Sequence, residues 1–214
     1  MVSVRTSSEE AFERFLAENN LAFERIKEGS SPRPDYLVKV GEFKLVFEVK
    51  ELAEDSDFRT INDPSSPVIR VHSRIVGDYV RRKIEDKHTR KQIKFAASQG
   101  FPAILLLYNN LDPLHLFATE DHDFLHGMYG ELTILINKHT RQVEGDPFCG
   151  RNRSVSEDKN TSFSAVGRLA PILRSGKMTV TLFENAFAKV RLPYEQLPPC
   201  FEVRHVELAQ QDGA

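Results

Sequence analysis

The sequence predicts a mixed α/β fold: a mixed central β-sheet flanked by helices, with additional strands toward the C-terminus. Three observations carry this expectation. Residues 36–40 and 43–50 are rich in β-branched and aromatic side chains and flank Gly41-Glu42, the pattern of a β-hairpin. Apolar residues at helical spacing precede the hairpin, and a long basic run with helical periodicity follows it. Then Phe101-Pro102-Ala103-Ile104-Leu105-Leu106-Leu107-Tyr108, a continuous apolar run after Gly100, reads as a buried central strand. Helix, glycine and buried strand make a crossover connection back into the sheet.

Each element has its own signal. Ser7-Ser8-Glu9-Glu10 has the spacing of a capping box, Ser7 with Glu10. Phe12, Phe15 and Leu16 then form one stripe, so a helix is expected to about residue 20. In the hairpin, Gly41 suits the first central position of a two-residue type II′ turn, where a positive φ costs glycine little. After an Asp, Ser, Asn and Pro-rich loop over 52–67, one long helix is expected from about 73 to 99, burying Val76, Val80, Ile84, Ile93, Ala96 and Ala97. Further on come a short strand at 114–117, a short helix at 120–128 and a strand at 131–137. A long polar loop at 138–160 leads to paired strands at 163–169 and 178–183, with an edge strand over 201–208.

Composition bounds the class. The chain has 214 residues, 40% of them hydrophobic, enough for one elaborated domain. Its expected organisation is a core at 1–110, a C-terminal extension of the same domain at 111–208 and a tail at 209–214. A net charge of −2 means that any polyanion-binding surface must be local. Cys149 and Cys200 lie far apart without a CxxC pair, which favours a reducing compartment and speaks against a thiolate zinc site. No apolar run approaches a membrane span, and no signal-like segment opens the chain. A soluble cytoplasmic protein with no membrane partner is expected.

The chemistry concentrates in the hairpin. The turn pairs Val40 with Phe43, and counting outward sets Tyr36 against Phe47 and Asp35 against Glu48. Directly opposed residues share a face with Cβ atoms about 4.5–5.5 Å apart. Alternation puts Lys50 on the face of Glu48, while Tyr36, Val38, Val40, Phe43, Leu45, Phe47 and Val49 make the opposite, apolar face. Two adjacent carboxylates repel unless a cation or proton intervenes. Oxygen ligands of this kind suit Mg²⁺ or Mn²⁺ rather than zinc. An ordinary solvated strand face, with Glu48 simply paired to Lys50, is the plainer alternative.

Pro34-Asp35, twelve intervening residues, then Glu48-Val49-Lys50 resembles the signature of the PD-(D/E)XK, or restriction-endonuclease-like, superfamily. The resemblance covers about residues 7–108 and implies a helix, a three-strand meander, a second helix and a fourth strand (αβββαβ). It implies a metal-dependent nuclease acting on nucleic acid, DNA being the first expectation, with Mg²⁺ or Mn²⁺ as cofactor. It places the metal at Asp35, Glu48 and the Val49 carbonyl, with Lys50 positioning the nucleophile. A first-helix glutamate completes such sites, and Glu9 is the first choice with Glu13 second. Lys91 and Gln92 resemble the supporting second-helix element, although Ala96 stands where an aromatic residue is usual. Duplex-cutting members often act as dimers, so a homodimer is also an expectation.

Basic residues Arg70, Arg74, Arg81, Arg82, Lys83 and Lys87 are candidates for phosphate backbone contact, with Arg90, Lys91 and Lys94 continuing the run. His122 and His126 share a helix face but have no HExxH glutamate or third ligand in sequence. No Gly-rich phosphate loop or serine-hydrolase motif occurs. The alternative function is a catalytically inactive nucleic-acid-binding or assembly module that keeps the nuclease fold.

Overall fold

In the computed structural model, residues 5–27, 29, 32–53, 75–111, 117–149 and 151–206 are described. The first helix, α1 (Ser7–Glu18), buries Ala11, Phe12, Phe15 and Leu16. Its capping box is Thr6 with Glu9, one residue earlier than the sequence spacing suggested. The Thr6 hydroxyl accepts the Glu9 N–H, and the Glu9 carboxylate accepts the Thr6 N–H. Ser7 thereby becomes the first helical residue, and Ser8 is buried with its hydroxyl 3.0 Å from that of Thr6.

Three antiparallel strands follow: β1 (Ala22–Arg25), β2 (Tyr36–Val40) and β3 (Phe43–Leu52). Gly41 takes φ 57 and Glu42 has no positive φ, as a type II′ turn requires. The β2–β3 register runs from Val40↔Phe43 to Tyr36↔Phe47, the pairing that the turn predicts. β1 makes up a three-strand meander with the hairpin, the count the resemblance implies, but no sequence pattern located it. It is four residues long, and Ala22, Phe23 and Glu24 are all exposed, so no buried alternation marks it.

The single helix expected at about 73–99 is two helices, α2 (Asp78–Glu85) and α3 (Lys87–Ser98). Asp86 breaks the run with extended torsions, φ −58 and ψ 129. Its carboxylate accepts the Thr89 N–H at 2.8 Å, a side-chain bond that replaces a helical turn with a cap. Gly100, at φ 80, follows α3. β4 (Ala103–Asn109) then returns parallel to β3, pairing Val46 with Ala103 through Leu52 with Asn109.

The C-terminal half extends the same sheet. After α4 (Asp121–Tyr129) come β5 (Leu132–Ile136) and β6 (Val143–Cys149), which form a separate hairpin. β6 lies inside the stretch expected to be a polar loop. Its sequence contains Gly145 and Pro147, which suppress strand signals although the backbone still pairs with β5. β7 (Ala165–Pro171) pairs parallel to β4, β8 (Met178–Glu184) antiparallel to β7, and β9 (Phe201–Arg204) parallel to β8. The seven-stranded order is β1-β2-β3-β4-β7-β8-β9, with β9 at an edge. The short strand expected at 114–117 falls mostly outside the described residues.

Two cores sandwich this sheet. On one face α1 sets Phe12, Phe15 and Leu16 against Tyr36, Phe47, Leu106 and Val180. On the other, Val80, Ile84, Ile93, Phe124 and Met128 of α2, α3 and α4 pack on Val46, Leu105, Leu107 and Phe183. Gly127 lets α4 meet the start of α2: a Cβ there would stand 2.8 Å from Val80 Cβ and 2.9 Å from the Gly77 carbonyl oxygen. Among the described residues no helix is long and apolar enough to cross a membrane.

Candidate active site

The apolar residues of β2 and β3 turn toward α1, so alternation turns Val46, Glu48 and Lys50 toward α2 and α3. Glu48 sits on an interior strand of the sheet, between β2 and β4, and its side chain is fully buried. Lys50 Nζ lies 2.5 Å from Glu48 Oε1, off the axis of a directed hydrogen bond. Neither Glu48 oxygen has a well-aligned donor among the described residues.

Asp35 stands just beyond the β2 ladder. Its N–H donates to the Phe47 carbonyl at 3.1 Å, out of register with a Glu48 pair, and its Oδ2 accepts the Val49 N–H at 2.8 Å. In an antiparallel arrangement a residue's N–H and C=O face the same neighbouring strand, so the Val49 carbonyl also faces the Asp35 side. Asp35, bonded to the Val49 N–H, therefore lies close enough to Glu48 to act on it where the ladder ends.

Electrostatics mark the cluster. Burial raises the Asp35 carboxyl above its ordinary range and outweighs the Val49 hydrogen bond and the Lys50 charge that lower it. Burial and then the Asp35 charge push Glu48 up to about 8, against the opposing effects of Lys50 and Gln92. Burial alone would lower Lys50, but Glu48, Asp35 and Asp86 hold it above the usual lysine range. A second lysine shares this field: Lys83 is lowered by burial and by the Lys50 charge, with Asp86 and Glu51 acting in the other direction.

Gln92 supports the site from α3. Its Nε2 donates to the Arg33 carbonyl at 2.9 Å, tying α3 to the segment before Asp35, while its Oε1 is buried without a donor. Lys91, next to it, is exposed. The first-helix acids lie on the far side of Asp35. Glu9 is near enough to raise the Asp35 carboxyl, yet Arg25 hydrogen-bonds its Oε1 and the Thr6 N–H donates to its Oε2 at 2.8 Å. Glu13 accepts from the Tyr36 hydroxyl at 3.1 Å and pairs with Arg5 at 3.2 Å.

A divalent cation suits this donor set. Two carboxylates share one buried place, Glu48 offers two oxygens lacking aligned donors, and all candidate ligands are hard oxygens. The Glu120, His122 and Asp123 group, whose ligand atoms lie within 4.8 Å of one another, is a weaker candidate. Asp123 already accepts the N–H groups of Gly77 at 3.0 Å and Glu120 at 3.2 Å, which anchors α2 and caps α4.

The basic candidates divide into groups. Arg81 donates to the carbonyls of Asn152 and His126 at 2.9 and 3.3 Å, a structural role between α2 and the C-terminal half. Arg82 pairs with Asp78 at 2.6 Å and lies over the Tyr79 ring. Lys83 is half-buried and near enough to Lys50, Asp86 and Glu51 to feel their charges. Lys87, Lys91 and Lys94 are exposed and recur at helical spacing along one side of α3. Arg70 and Arg74 lie outside the described residues.

Sequence reasoning missed Asp86, Arg25 and the inward position of Lys83. Asp86 had a signal, since Asp-x-x-Thr within a basic run is an N-cap spacing. Arg25 had none, because its partners lie on α1. Comparison with protein-family models, curated proteins and solved structures finds no match for this chain.

Proposed function

We propose that the protein is a Mg²⁺- or Mn²⁺-dependent nuclease with a restriction-endonuclease-like core, hydrolysing phosphodiester bonds of nucleic acid, DNA first. The observation that carries this reading is the fully buried Glu48 carboxylate, close enough to Asp35 to feel its charge and paired with Lys50 at 2.5 Å. The succession α1, β1–β2–β3, α2 and α3, then β4 parallel to β3, supports the fold half of the proposal.

Asp35, Glu48 and the Val49 carbonyl would hold the cation. When bound, it supplies Lewis acidity toward a phosphodiester oxygen and toward water. The chain's own groups do the rest. The Val49 N–H fixes the Asp35 carboxylate, and Gln92 fixes the segment that leads into it. Lys50 remains an ammonium in this acidic surrounding, so it acts as a donor that orients water or stabilises phosphate charge, not as a base. Lys83, close enough to Lys50 to feel its charge, would add a second cation beside it. Lys87, Lys91 and Lys94 offer a stripe for the sugar-phosphate backbone.

The test is cleavage of single- and double-stranded DNA and RNA with Mg²⁺ or Mn²⁺, comparing the wild type with Asp35→Ala and Lys50→Ala. Metal-dependent cleavage lost in both variants supports the proposal. No cleavage of any substrate by wild type, or equal activity in all three proteins, overturns it.

A further inference from the structure

The β5–β6 hairpin stands apart from the seven-stranded sheet. Its strands pair only with each other among the described strands, and no described helix packs substantially against them. Leu132, Ile134, Leu135, Ile136 and Val143 are each between 48% and 63% exposed. An isolated two-stranded ribbon is at best marginally stable in water. This one also holds five aliphatic side chains in solvent, on the order of 500 Å² of apolar surface, near the upper end of what a monomer shows in one patch.

The two edges of the ribbon differ. β6 reads Val-Glu-Gly-Asp-Pro-Phe-Cys: Pro147 has no N–H to donate, and the acids and glycine discourage a further strand. β5 reads Leu-Thr-Ile-Leu-Ile, with no charge, proline or glycine. One edge is blunted and the other is an open template for pairing.

The occupant follows from that asymmetry. Antiparallel pairing of β5 with another β5 consumes both open edges and leaves two blunted β6 edges outside, so the assembly closes at two copies instead of growing into a fibre. At that seam the exposed Leu132, Ile134 and Ile136 of one copy would stand beside those of the other as cross-strand neighbours, so apolar contact adds to the backbone pairing. Nucleic acid fits this edge poorly, because phosphate contact needs charge and β5 carries none.

We propose that two copies of this chain dimerise by antiparallel pairing of β5 about a two-fold axis near Ile134, forming a four-stranded β6–β5–β5–β6 sheet. The proposal does not depend on the nuclease reading.

Sedimentation of the 214-residue chain at about 1–100 µM tests it. The wild type is expected at twice the 24.4 kDa chain mass. Ile134→Lys, an exposed position whose substitution should leave the circular dichroism unchanged, should weaken association roughly 100-fold or more. Under oxidation Ile134→Cys should form a covalent dimer above the level of the parent chain, and Val143→Cys should not. A wild type that is monomeric throughout the range, an unchanged dimer in Ile134→Lys, or equal cross-linking of both cysteine variants would overturn the proposal.

Discussion

The Asp35 carboxylate accepts the Val49 N–H at 2.8 Å, so one acid of the cluster is aligned by the backbone of the strand that carries the other. Strand β3 supplies Glu48, Lys50 and the Val49 peptide and also holds Asp35 in place. The geometry of the cluster is therefore as rigid as the centre of the sheet. Loop motion would disturb it little.

Glu48→Gln should raise the stability of the metal-free protein while abolishing metal-dependent cleavage. Folded Glu48 holds its proton up to about 8 whereas an ordinary glutamate releases it near 4.5. Between those values the native state binds more protons than the unfolded one, so stability falls as pH rises and levels off above the window. Melting temperatures of metal-free wild type should therefore drop between about pH 5 and 8, with a flatter profile in Glu48→Gln. Parallel profiles for the two proteins would show that burial does not act on Glu48 in this way.

Lys83→Ala should cost cleavage and little stability. Its ammonium is half-buried and faces the Lys50 charge, so burial and repulsion both work against its charge in the folded protein. A loss of roughly 10²-fold is the scale for removing one preorganised donor. Unchanged turnover beside a markedly lower melting temperature would instead make Lys83 a packing residue.

Gln92→Leu removes the donor to the Arg33 carbonyl and leaves that oxygen unpaired. Denaturant titration should report about 1–3 kcal/mol of destabilisation. Mn²⁺ affinity measured by calorimetry should fall as well, because the segment before Asp35 loses its tie to α3. Stability loss with undiminished Mn²⁺ affinity would separate Gln92 from the site.

Gly127→Ala should destabilise the protein by at least about 1–3 kcal/mol, the range for forcing a methyl group into packed surroundings. The added carbon would stand 2.8 Å from Val80 Cβ and 2.9 Å from the Gly77 oxygen, and the backbone member of that pair has little room to move. Urea unfolding of the variant checks this, and a neutral result would show that α4 can shift away from α2.

Much of the N-terminal half was legible because its signals are local. The positive φ of Gly41 fixes the register through Tyr36↔Phe47, and the apolar run after Gly100 becomes the parallel strand β4. What escaped depends on side chains answering the backbone. Asp35 leaves the ladder because its carboxylate takes a peptide N–H, and Asp86 splits a helix for the same reason. The pairing of Arg25 with Glu9 joins elements whose contact no periodicity encodes. β6 hid because its residues disfavour strands individually, and only the neighbouring β5 gives them a ladder.

The contact between Gly77 and Gly127 has a consequence for how the chain can be divided. The helix bearing Lys83 is seated by α4, and α4 belongs to the half that supplies none of the carboxylates. A fragment ending after β4 would keep Asp35, Glu48 and Lys50 and lose the surface against which the Lys83 helix is seated. Truncation or grafting at the midpoint would therefore leave that helix without its seat.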